Sequence, residues 1–193
     1  MNWLSADGGS AFQRSLSAIG MMTSLMSGLP SRDTWRHGPL LWMAPEAVRT
    51  VVEAGPDIFN HNTETVPRLY PRIRPKAVYA NSLALLRHVK ALAPEMVTKS
   101  GLMVGLGETE DELVEVFRNM RAHDIDVLTV GQYLRPSRQH AEVARYYRPE
   151  EFARLKELAL EMGFGHVESG ALVRSSYHAD EQVPAPRKNL LAG

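Results

Sequence analysis

Residues 99–112, KSGLMVGLGETEDE, constrain this chain more than any other stretch. Leu102, Met103, Val104 and Leu106 form the short apolar run expected of a parallel strand covered on both faces. Gly105 and Gly107 then permit a sharp turn and a close backbone approach by a ligand. Thr109 and Glu112 spell the capping box Thr-x-x-Glu, which starts a helix. Strand, glycine turn and capped helix together make a βα unit. Glu108 lies in the turn, at the end of the strand where α/β folds bind ligands. A carboxylate there either accepts hydrogen bonds from a ligand or solvates the turn, and these residues alone leave both readings open.

The same alternation runs through the chain from Pro45. Pro45 suits a first helical position, with Val48, Val51 and Val52 on one face and Gly55 as the cap. Residues 57–60 read as a strand, and 66–75, rich in Pro and Arg, as irregular. A helix over 77–92 turns Leu85, Leu86, Val89 and Leu92 inward and stops at Pro94. The helix over 110–123 buries Leu113, Val116, Phe117 and Met120, at i, i+3, i+4 and i+7. Strands over 126–131 and 166–169 flank a helix over 149–162 whose inner face is Phe152, Leu155, Ala159 and Met162. This order predicts an α/β fold of parallel strands joined by right-handed helical crossovers. Four strands make part of a (β/α) barrel or a small open sheet, not a closed eight-stranded barrel.

Composition narrows the function. The formal net charge is +0 without a long run of like charge, which disfavours nucleic acid and anionic membrane as partners. No apolar run reaches the ~18 residues of a spanning helix, and the start does not read as a signal peptide, so the expected compartment is the cytoplasm or an organelle matrix. There is no cysteine, which excludes disulfides, thiolate zinc sites and thiolate iron–sulfur ligation from this chain. Residues 1–45 stand apart. They hold all three tryptophans (Trp3, Trp35, Trp42) and only five charged residues, and they read as an atypical, poorly ordered segment. Residues 182–193 read as a frayed tail.

Ligand sites in parallel α/β folds lie at the carboxyl ends of the strands. Those ends carry Asn60, His61, Asn62 and Glu64; then Gly105, Gly107 and Glu108; then Gln132, Tyr133 and Arg135; and finally Arg174, Ser175, Ser176, Tyr177 and His178. Several polar strand ends feeding one mouth is a stronger signal than any one motif. Arg68, Arg72 and Arg74 suit a phosphate or carboxylate, or a solvated face. His61, His178 and Glu64 supply the types of a two-His-one-carboxylate metal site, although their spacing has no special fit. Ser175, His178 and Asp180 supply hydrolase-triad types without the G-x-S-x-G elbow.

The strings FNHNTETVPRLYPRIRP, TKSGLMVGLGETEDE, LTVGQYLRPSRQH and GALVRSSYHAD resemble the C-terminal half of lipoyl synthase, over residues 48–181. That resemblance implies a partial (β/α) barrel of the radical S-adenosylmethionine (SAM) type, here spanning residues 46–181. It implies sulfur insertion into an octanoyl chain carried by a lipoyl carrier domain, using S-adenosylmethionine and two 4Fe–4S clusters. By resemblance Asn60, Asn62, Glu64, Gly105, Gly107, Glu108, Gln132 and Tyr133 hold the cofactor. Ser175, or alternatively Ser176, ligates the auxiliary cluster, and Arg68, Arg72 and Arg174 lie in the substrate region.

The family's two cysteine triplets are absent, so the resemblance carries an expectation of a truncated chain, inactive alone. A second reading is a non-catalytic binding protein that retains the cofactor pocket or the carrier-docking face. A barrel fragment is also expected to leave a sheet edge and an apolar inner face exposed.

Overall fold

The computed structural model describes residues 45–175. Helix α1 (Pro45–Glu53) leads to strand β1 (Ile58–Asn60). A turn of 3-10 helix (Pro67–Leu69) runs into a helical turn (Tyr70–Ile73). Then come α2 (Tyr79–Leu92), β2 (Val97–Val104), α3 (Glu110–Ala122), β3 (Val127–Gln132), α4 (Pro149–Glu161) and β4 (His166–Gly170). The expected α-β-α-β-α-β-α-β order holds, with ends shifted by a residue or two.

All three strand pairings are parallel and the sheet order is β1-β2-β3-β4. Spatial order equals chain order. Right-handed crossovers then put every helix on the same side, as in a barrel wall, rather than on both sides as in a doubly wound sheet. The sheet does not close among the described residues.

The helix-covered face is mostly apolar, with Thr98, Ser100, Gln132 and Ser169 as its polar positions. Phe59, Leu102, Val104, Leu128, Val130 and Val167 pack against Leu86 and Val89 of α2, Leu113, Val116, Phe117 and Met120 of α3, and Phe152, Leu155 and Ala159 of α4. The whole i, i+3, i+4, i+7 stripe of α3 is 0% exposed, so that periodicity identified the core face fully. Thr109 begins α3 as expected: its side chain accepts from Glu112 N while the Glu112 carboxylate accepts from Thr109 N.

Alternation along the strands fixes the other face. Register aligns Asn60, Lys99, Val127 and His166 in one row, Gly101, Thr129 and Glu168 in the next, and Met103, Gly131 and Gly170 in the third. Apart from Ile58, Val97, Val127 and Met103, this inner face is polar or glycine. The expectation of an apolar inner face is therefore corrected.

The stretch expected to be irregular, 66–75, contains the two helical turns. Pro67 and Pro71 fall in their first turns, where a fixed φ and a missing N–H cost nothing. The readings made for residues 1–44 and 176–193, including Ser176, His178 and Asp180, lie outside the described residues.

Candidate functional site

After β1 the chain stays beside β2. His61 N donates to Lys99 O, and Thr63 N and Glu64 N both donate to Gly101 O. Glu64 adopts φ +70, and its carbonyl accepts from Met103 N at 2.9 Å. A left-handed conformation at a residue with a Cβ costs about 1–2 kcal/mol. It is held here by backbone bonds on both sides, and Glu64 lines the cavity.

That cavity, of about 240 Å³, opens at the carboxyl ends of β2 and β3. Its walls are Asn62 and Glu64 on one side, Gly101, Met103, Thr129 and Gly131 beneath, and Gln132, Leu134, Arg174 and Ser175 opposite. Gly101 shapes the floor: a Cβ there would stand 2.5 Å from Thr129 Oγ1 and 3.1 Å from Asn62 Oδ1. Bare backbone flanked by hydroxyl and amide groups accepts a flat ring with polar edges. Asn62 Oδ1 is buried without a hydrogen-bond partner, as is Asn60 Oδ1 one row below. Buried acceptors are normally satisfied, so these two are open to a donor from a ligand. Burial pushes the Glu64 carboxyl up, against the Arg74 charge and a hydrogen bond from Asn62.

The expected cofactor residues divide into two groups. Asn62, Glu64 and Gln132 reach the cavity, and Asn60 occupies the same face. Glu108, Gly105, Gly107 and Tyr133 do not line it. The Glu108 carboxylate accepts from Gly105 N at 2.7 Å, from Leu106 N at 2.9 Å and from the Tyr147 hydroxyl at 2.8 Å. Gly105 (φ +98) has Gln132 Nε2 and Arg145 O at its back, where a Cβ would be 2.3 and 2.5 Å away. Its freedom serves chain packing. Gln132 bonds Tyr133 O, Arg145 O and Tyr147 N, and Tyr133 donates to Ala141 O. These residues hold the loop behind the cavity.

The arginines also separate. Arg68 forms a two-pronged pair with Glu112 and bonds Gly107 O, Arg72 bonds Leu106 O, and Arg74 bonds Asn62 O. They brace the turns beside the mouth. Arg174 is in the cavity wall, donating to Val173 O at 2.6 Å. Ser175 lines the wall too, and its carbonyl accepts from Lys99 Nζ. His61 points away, with Nε2 3.2 Å from Ser82 Oγ on α2. Among the described residues no three His, Asp or Glu side chains are grouped to hold a metal, and His178, the third member of the two-His-one-carboxylate reading, lies outside them.

Sequence reading missed Thr129, Gly131 and Lys99. A glycine inside a strand signals a close approach, and at Gly131 it is made by Val173 O, 2.4 Å from where a Cβ would be. A lysine within an apolar strand is a similar signal.

The radical SAM superfamily pattern matches residues 34–120. A sheet in barrel order with its cavity at the strand ends agrees with that class. The chain is similar to lipoyl synthases over roughly three quarters of its length. It is 60% identical over 146 residues to the lipoyl synthase of Rubrobacter xylanophilus, covering 76% of this chain and 46% of that protein. Identity is 63% over 135 residues with that of Caldanaerobacter subterraneus, covering 70% and 48%, and 56% over 146 residues with that of Koribacter versatilis, covering 76% and 48%. The chain spans about half the length of these curated relatives, matching their C-terminal half.

Proposed function

We propose that this chain is a lipoyl synthase-like radical SAM protein whose described residues form the wall that binds S-adenosylmethionine. The carrying observation is the side-chain-free floor at Gly101 beside the unpartnered acceptor Asn62 Oδ1. A planar base fits beside the Gly101 backbone, between Asn62 and Thr129. Asn62, Glu64 and Thr129 are placed to bond ribose hydroxyls or an ammonium, and Arg174 to neutralise a carboxylate. Gly105, Gly107, Glu108 and Tyr133 act from behind by fixing the turn and loop. Bound S-adenosylmethionine supplies radical chemistry, for which the protein's part is to orient the cofactor and exclude water.

The residues present do not fit the family's clusters. Thiolates hold such clusters; this chain has none, and Ser175 has no companion ligands among the described residues. We therefore infer that sulfur insertion into an octanoylated carrier requires cysteines from outside this chain, and that this chain alone binds without turning over. No helix among the described residues is long and apolar enough to cross a membrane.

Isothermal titration with S-adenosylmethionine and with an octanoylated carrier domain tests this reading. Saturable binding of S-adenosylmethionine supports it. Absence of binding to either overturns it.

A further inference from the structure

We propose that Lys99 is a positioning residue: its ammonium tethers residues 170–175 across the inner face of the sheet, so that Arg174 and Ser175 stand as the cavity's far wall. Lys99 lies on β2, on the inner face, and is 2% exposed. Its Nζ reaches a carbonyl 76 positions along the chain, at Ser175. Burying an ammonium is unfavourable unless its donors are engaged, so a lysine retained at this depth needs an acceptor such as Ser175 O.

The segment is shaped to receive this tether. Val173 N bonds Gly170 O at 3.1 Å, turning the chain back after β4. The buried Val173 side chain and the missing side chain of Gly131 let the segment lie on β3. Beyond Val173, Arg174 donates to Ala171 O and Val173 O, and the Lys99 ammonium ties Ser175 O to the sheet, so the lysine anchors the end of the wall. Burial lowers the Lys99 pKa to about 8, and the Glu168 carboxylate on the same face opposes that shift and favours the ammonium. Nothing in this assignment depends on which ligand enters; only the ligand arm of the test rests on the S-adenosylmethionine reading.

Limited trypsin digestion of the full chain, followed by mass spectrometry, reads the tether directly. Trypsin cuts after Arg174, and the exposed Lys76 serves as the reference site. Relative to Lys76, cleavage at Arg174 is expected to rise about tenfold in Lys99→Met and Lys99→Gln and to return toward wild type in Lys99→Arg. S-adenosylmethionine affinity should follow the same order at an unchanged melting temperature. A Lys99→Met cleavage ratio equal to wild type overturns the proposal. If the variants unfold, amine labelling of the wild-type chain decides. Lys99 should react far more slowly than Lys76, and faster once the 174–175 bond is cut; an unchanged rate after the cut overturns the proposal. A wild-type chain that fails to bind S-adenosylmethionine, yet shows the tether in digestion and labelling, removes the proposed function and leaves the assignment of Lys99 standing.

Discussion

Tyr147 donates its hydroxyl to Glu108 Oε1 at 2.8 Å, joining the loop before α4 to the glycine turn after β2. The same carboxylate takes the N–H groups of Gly105 and Leu106, so three donors converge on one side chain. Glu108→Gln leaves a single acceptor and turns an amide against backbone donors, which should cost about 2–3 kcal/mol. Tyr147→Phe removes one bond and should cost about 1 kcal/mol. Urea unfolding checks the order; equal or negligible losses would show that the carboxylate does not organise the turn.

Acid should destabilise the fold in two separable steps. Burial, with help from the Arg74 charge, lowers the His61 pKa from 6.5 to about 4. The folded ring therefore stays neutral while the unfolded one protonates, and stability is lost as pH falls from 6.5 to about 4, on the order of 3 kcal/mol. The Arg68 hydrogen bond, aided by Thr109 N, lowers Glu112 from 4.5 to about 2. Its contribution is present above 4.5 and disappears as pH falls toward 2. Denaturation at a series of pH values should show His61→Gln flattening the upper step and Glu112→Gln the lower. A His61→Gln profile that parallels wild type would rule out the first assignment.

Gly131→Ala tests the close approach of the wall. Its Cβ would be 2.4 Å from Val173 O, a backbone atom that must move. Overpacking of this kind costs about 1–3 kcal/mol. Melting temperature should fall modestly while S-adenosylmethionine affinity drops tenfold or more. Retained affinity would place the ligand away from residues 171–175.

The chain alone should not assemble a 4Fe–4S cluster. Anaerobic reconstitution with iron and sulfide, then desalting, should leave neither the broad visible absorption of a cluster nor stoichiometric iron. Retained iron and sulfide at cluster ratio would show that oxygen or nitrogen ligands of this chain suffice.

Much of the fold was legible because its helices carry clean stripes: Leu113, Val116, Phe117 and Met120 all reach the core. The strand ends were legible as a place, since Asn62, Glu64, Gln132, Arg174 and Ser175 do converge. Roles within that place were not. Glu108 and Gly105 look like ligand groups in a linear string, yet they serve a turn whose partners, Tyr147 and Arg145, lie some forty residues away. The inner face escaped for a related reason. Lys99, Gly101, Thr129 and Glu168 become neighbours only through the parallel register, which no local pattern specifies.

Hydrogen–deuterium exchange of the full chain with and without S-adenosylmethionine tests the central claim most directly. Slowed exchange confined to residues 61–65, 101–104, 129–134 and 171–175 is the predicted result. Saturating S-adenosylmethionine that leaves those four segments unchanged, or protects a different surface, would contradict it.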